Sequence, residues 1–194
     1  MKTSRVVSMS AAFGFGAAVL MTSACTPYYI SYPPVEGDAA FHDLGVTPAP
    51  EVMGDAVRFV IERYPLEGSY LVNLPRGTQR RTAEKVVNIV NDSNAWIVNE
   101  LMLDRPAVHI TKVWVRGDRA SVDVMRPVGE DVYQTITVRL AQAMGDWKVT
   151  GAREFTTGAF EAPPLYGWFG ESGGAVVQPG YVEDNNSNEA ESNQ

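Results

Sequence analysis

The sequence predicts an α+β domain, with an N-terminal helix or helices packed on a four-stranded antiparallel meander. Three observations carry this. From Pro106 to Phe155 the chain alternates apolar and polar residues in four runs. The turn residues between them include Gly117-Asp118 and Gly145-Asp146, pairs that suit tight hairpins. Upstream, Met53, Ala56, Val57, Val60, Ile61 and Tyr64 recur at the spacing of one helical stripe.

The first hairpin joins Val108–Val115 to Ala120–Met125, both rich in β-branched residues. A two-residue turn at Gly117-Asp118 sets Val115 opposite Ala120, Val113 opposite Val122 and Thr111 opposite Val124. On the other face Trp114 meets Ser121 and Lys112 meets Asp123. Opposite charges so placed contribute roughly 0.2–1 kcal/mol. A one-residue slip would lose both the charge pairing and the apolar row. In the third run Ile136, Val138 and Leu140 point one way, and Thr135, Thr137 and Arg139 the other. In the fourth, Trp147, Val149 and Phe155 share a face, opposite Lys148, Thr150 and Glu154. Such a sheet has a wet face and a dry face, and the dry face needs a cover. The Met53–Tyr64 stripe is expected to supply it.

Thr47-Pro48 suits a helix start, and Pro65 stops the helix. Ser69 to Leu74 is a short candidate strand. A second helix is expected over Gln79–Val90, with Ala83, Val86, Val87 and Val90 inward. Its basic residues, with Arg76, read as a solvated face or as a phospholipid headgroup contact. Trp96 to Leu103 is compatible with strand or helix. Beyond the meander, Phe160, Tyr166, Trp168 and Phe169 lie among glycines and prolines. This stretch is expected to fold back over the sheet without regular elements, the alternative being an exposed aromatic patch for a partner. Glu171 onward has acids and no base, and reads as a disordered tail.

The amino terminus reads as an export signal: Lys2 and Arg5, an apolar run from Ala11 to Met21, then small residues. That run is too short for a stable bilayer span. It ends Leu20-Met-Thr-Ser-Ala-Cys25, and Cys25 is the single cysteine. The ending resembles the lipobox of bacterial lipoproteins, with Thr22 where leucine is usual. The resemblance implies a diacylglycerol on the Cys25 thiol and cleavage before it. Ordinary cleavage, leaving a free thiol, is the alternative. Thr26 stands where aspartate marks inner-membrane retention in Gram-negative lipoproteins, so the resemblance leans to the outer membrane, facing the periplasm or the exterior.

The expected organisation is a signal over 1–24, a proline-rich tether over 25–47, one domain over 48–160, and an aromatic then acidic segment over 161–194. Losing the signal removes two bases and no acid, which takes the formal charge from −7 to −9. Nucleic acid is therefore not an expected partner, since phosphate binding needs a basic surface. The expected partners are the membrane, through the N-terminal lipid, and an envelope protein.

No nucleophile elbow, phosphate loop or dinucleotide fingerprint is present. Two histidines, with the lone cysteine at the anchor, leave no zinc set, and no cofactor is expected. His42 falls in the tether. His109 falls at the open end of the dry face near Arg126, with Glu130 and Asp131 on the adjoining loop. A histidine beside carboxylates can transfer protons near neutral pH. The structural alternative is a polar residue reaching water at a sheet's end. Arg116-Gly117-Asp118 spells a cell-adhesion tripeptide that the hairpin already explains. The element order over Pro48–Phe155 resembles the NTF2-like or cystatin-like α+β fold, which hosts enzymes, binders and interaction modules alike. Two functions follow as expectations: a non-enzymatic, lipid-anchored envelope interaction domain, or a small-molecule binder or enzyme with a pocket between helix and sheet near His109 and Arg126.

Overall fold

The computed structural model describes residues 29–36, 40, 42–129, 132–158, 162–167 and 175–177. In chain order the elements are β1 (Tyr29–Tyr32), α1 (Ala49–Arg63), β2 (Tyr70–Asn73), α2 (Arg80–Val90) and β3 (Ala95–Ile97). Then come a 3₁₀ turn (Glu100–Met102), β4 (Ala107–Arg116), β5 (Arg119–Gly129), β6 (Val132–Ala143), β7 (Asp146–Glu154), β8 (Leu165–Gly167) and β9 (Ala175–Val177).

The expected helix stripe does cover the sheet. Met53, Ala56, Val57 and Val60 are fully buried in one core with Val113, Val122, Val124, Ile136 and Val138. Pro50 sits in the first turn of α1, where a missing N–H costs nothing. The helix ends at Tyr64, whose N–H reaches the Val60 carbonyl just before Pro65. In α2, Ala83, Val86 and Val90 are buried and Val87 is partly buried, and this helix packs mainly along α1. Arg80 pairs with Glu84 at 2.9 Å and Lys85 with Glu51 at 2.7 Å, while Arg76 and Arg81 are exposed on the same basic stretch.

The sheet is larger than a four-stranded meander. Seven strands join in the order β3-β2-β4-β5-β6-β7, with β1 also on β4. The meander β4–β7 is present and antiparallel. On the other edge of β4, β2 pairs in parallel with its first residues and β1 pairs antiparallel with its last. Thus Tyr29–Tyr32, expected in a tether, is a strand, and Ile30 is fully buried. The Trp96–Leu103 stretch divides into strand β3 and the 3₁₀ turn.

Two bulges correct the expected faces. Val115–Ala120, Val113–Val122, Trp114–Ser121 and Lys112–Asp123 pair as expected, but the register shifts between Ile110 and Lys112. Ile110, not Thr111, lies opposite Val124. One inserted residue reverses the side of everything before it. The second bulge lies opposite Arg139 and Leu140, which pair with Gly151 and Val149. It leaves Trp147 and Val149 at the core and brings Glu154 to the helix side, while Phe155 is exposed. The last hairpin turns at Met144-Gly145, one residue earlier than expected, with φ of 54° and 99°. At Gly117 φ is 60°, the positive value a primed turn requires. Lys112 lies opposite Asp123, yet the Asp123 carboxylate accepts from Thr137 at 2.5 Å.

The face away from the helices is partly covered as well. Leu71, Val98, Ala107 and Leu165 form a second buried cluster, with Met102 and Leu103 against it. The chain after β7 bridges Gly158 to Tyr133, and Pro164 to Tyr166 then lie over the Asn73 side chain. The expected fold-back is real for these residues, but it includes β8. Strand β8 pairs with β9, which lies inside the stretch expected to be a disordered tail. Phe160, Trp168 and Phe169 lie outside the described residues.

Candidate functional site

The two candidate binding residues sit on opposite faces of the sheet. Arg126 follows Ala120, Val122 and Val124 on the helix side of β5, in register with Gln134. His109 lies opposite Met125, beside Ala107 on the reverse side of β4, because the bulge at Thr111 turned it over. The expected pocket between helix and sheet containing both residues is therefore not formed.

His109 is 2% exposed. Strand β2 places Asn73 beside it through the parallel pairing of the two residues. The Asn73 amide donates to His109 Nδ1 at 2.9 Å and to the Pro164 carbonyl at 3.0 Å. Its Oδ1 accepts from the Tyr166 N–H at 2.8 Å. The Tyr133 ring meets the imidazole edge-on, with centroids 5.8 Å apart. A donor on Nδ1 puts the ring proton on Nε2. That Nε2 is buried and has no hydrogen-bond partner among the described residues. Burial pulls the imidazole down to about 4, so it is neutral at pH 7. With Nδ1 occupied and Nε2 protonated, the ring has no free lone pair with which to take a proton. The general-base expectation is not supported by this geometry. What remains is a buried donor, Nε2–H, on the ring edge away from Asn73. Glu130 and Asp131 lie outside the described residues.

Arg126 is held on the other face. Its Nε and Nη2 both donate to Gln134 Oε1, at 3.1 and 2.9 Å, and its guanidinium lies 4.3 Å from the Tyr64 ring centroid. Gln134 in turn donates to the Phe155 carbonyl at 3.3 Å. The Tyr64 hydroxyl donates to Glu154 and accepts from Arg63 Nε. This arrangement clasps the C-terminal end of α1 to β5, β6 and β7. A cation over an aromatic face, with both arms on one amide oxygen, is well suited to that work.

The sequence assigns no site role to Asn73, Tyr64 or Glu154: Tyr64 is expected only in the helix stripe and Glu154 only on the wet face of its strand. Asn73 had one available signal: a lone amide inside the apolar run Tyr70-Leu-Val-Asn-Leu74, where a buried polar group demands partners. Glu154 had none, since its face depends on a bulge. His42 is exposed and donates from Nδ1 to the Ser31 carbonyl at 3.0 Å, pinning its segment to β1. Cys25 lies outside the described residues. No described helix is long and apolar enough to cross a membrane. Among the described residues no cluster of three or more His, Cys, Asp or Glu has the arrangement of a metal site.

No known protein family matches the chain, and neither curated proteins nor solved structures give a match.

Proposed function

We propose that the chain is a lipid-anchored cell-envelope protein whose α+β domain is a non-enzymatic interaction module. One observation carries this reading: an apolar export-type segment closes on the lone Cys25, and strand β1 begins at Tyr29. An acyl anchor on Cys25 gives the solitary cysteine of an exported chain a role. Thr26 favours the outer membrane as the anchoring site. The resemblance to NTF2-like or cystatin-like folds is retained here on the order of helices before the meander, and it does not select a function.

The edge of the sheet supports the interaction role. Among the described residues β3 is an outer strand, and Trp96 on it is 47% exposed, while Leu101 in the following 3₁₀ turn is 92% exposed. An open edge with large apolar side chains offers a protein both backbone and side-chain contacts. Mass spectrometry of the mature N-terminus tests the anchor: a diacylglyceryl cysteine at residue 25 is expected, and a free thiol there overturns it. Cross-linking in intact envelopes tests the module. A partner captured by the wild type and lost in Trp96→Ser is expected; equal capture by both removes the edge from the reading.

A ligand reading survives in one form, carried by the unpartnered Nε2–H of His109. A small molecule with an acceptor oxygen that reached this buried N–H would bond there. Thermal shifts with small carboxylates, present in the wild type and absent in His109→Leu, would support it.

A further inference from the structure

We propose that one end of the sheet, formed by Tyr29 and the two hairpin tips at Arg116–Arg119 and Ala143–Asp146, rests on the phospholipid surface that holds the Cys25 anchor. This inference rests on the lipoprotein reading above and adds an orientation to it.

Tyr29 is four residues after Cys25. Four extended residues span at most about 14 Å. A free tether running to Thr47 would have reached about 75 Å and left the domain's orientation open. Strand β1 removes that freedom. Its four residues pair with Val113–Arg116, Ile30 is fully buried and Ser31 is nearly so. The domain therefore begins almost at the lipid.

The chain enters the sheet at Tyr29, which lies opposite Arg116. Arg116 pairs with Arg119 across the first tip, Arg119 with Ala141, and Ala143 with Asp146 across the second. Antiparallel order thus gathers the anchor strand and both tips at one end. The Gln142 N–H donates to the Asp118 carbonyl at 2.8 Å and ties the two tips together. The opposite end, near Val128 and Phe155, is about nine residues of strand away, roughly 30 Å at the usual rise. The anchor cannot bring that end to the lipid while this one is held.

Met144 is fully exposed at the summit of its turn, in the left-handed region at φ 54°. A flexible thioether projecting from a tight turn suits insertion among acyl chains. Tyr29 lies against Trp114 edge-on at 6.3 Å and under the Arg116 guanidinium at 6.0 Å. Amphipathic rings beside cations are what headgroup depth favours. Exposed Arg116, Arg119 and Lys148 outnumber exposed Asp118 and Asp146 by one, and the half-buried Asp55 near Asp146 is paired with Arg58, whereas the whole chain carries −7. An anionic leaflet attracts this part of an otherwise acidic protein.

Because acylation consumes the lone thiol, a second cysteine can be labelled alone. Full-length acylated Met144→Cys and Val128→Cys variants, each carrying an environment-sensitive fluorophore, are placed in phosphatidylethanolamine–phosphatidylglycerol vesicles containing doxyl-lipid quencher. The mass of each N-terminus is measured on the same samples. The expected result is strong quenching of the label at 144 and none at 128. In acylated chains, equal quenching at both positions, or none at 144, overturns the docking and leaves the anchor standing. A blue-shifted but unquenched label at 144 also overturns it, in favour of burial against a second copy of the chain at that end. An unacylated Cys25 overturns both readings, and the mass identifies that case.

Discussion

His109 is the residue at which burial, tautomer and charge come together. Its folded value near 4 lies below the ordinary 6.5. The unfolded chain therefore takes up this proton first as pH falls. Above pH 6.5 the group contributes no pH dependence. Between about 6.5 and 4 it drains stability, and below 4 the loss levels off at about 3 kcal/mol. Urea unfolding of wild type and His109→Leu at pH 7 and pH 4.5 isolates the effect. The variant is expected to lose markedly less stability on acidification; parallel losses would mean that the imidazole is not held neutral. Asn73 has a different role. Its amide bonds to His109, Pro164 and the Tyr166 N–H together. Asn73→Ala leaves buried groups unpaired and is expected to cost about 2–4 kcal/mol. Hydrogen exchange should quicken at the Tyr166 amide while the α1 amides keep their order of protection.

At the scale of elements, the approach of α1 to α2 is decided by Gly54. A Cβ there would sit 2.5 Å from Ile89 Cγ2 and 2.6 Å from Ile89 Cβ. Helix propensity alone predicts that Gly54→Ala gains about 1 kcal/mol. Overpacking at that contact costs about 1–3 kcal/mol, so a lower melting temperature is expected. A raised one would show that the helices can part without loss. Val60→Asp tests the layer beneath, since Val60 is fully buried between α1 and the sheet. An unpaired carboxylate there is expected to abolish folding, read as loss of near-ultraviolet dichroism. The helix stripe and the first hairpin were legible because each is local: a 3.6-residue period in one case, a two-residue turn and its neighbours in the other. The bulges at Thr111 and Thr150 were not legible. Each inserts one residue into a run that still alternates acceptably, and only packing across the sheet reveals it. Their effect is out of proportion to their size, because they send His109 and Glu154 to the faces opposite those that alternation predicts.

At the scale of the whole molecule, the limits of the domain are set by long-range pairing. Strand β1 meets β4 more than eighty residues later, and Asn73 meets Pro164 and Tyr166. Nothing near Tyr29 or Pro164 in the chain announces these contacts, so composition placed the domain at 48–160 and left both segments outside. The physics of the sheet argues otherwise. Without β1, the outer edge of Val113–Arg116 loses its hydrogen-bonding partner, and Ile30 leaves the core. Without the chain past 160, Leu165 leaves the second cluster with Leu71 and Ala107, and Asn73 loses its Pro164 and Tyr166 partners. Each loss exposes apolar surface at about 25 cal/mol per Å² and strands buried polar groups as well. A fragment covering 29–177 is therefore expected to unfold cooperatively and to bind little hydrophobic dye. A fragment covering 48–160 is expected to melt at a clearly lower temperature and to bind the dye strongly. Equal melting temperatures for the two would show that the meander and helices stand without β1 and the C-terminal cover. The reverse face would then be an accessory surface, free to open without loss to the fold.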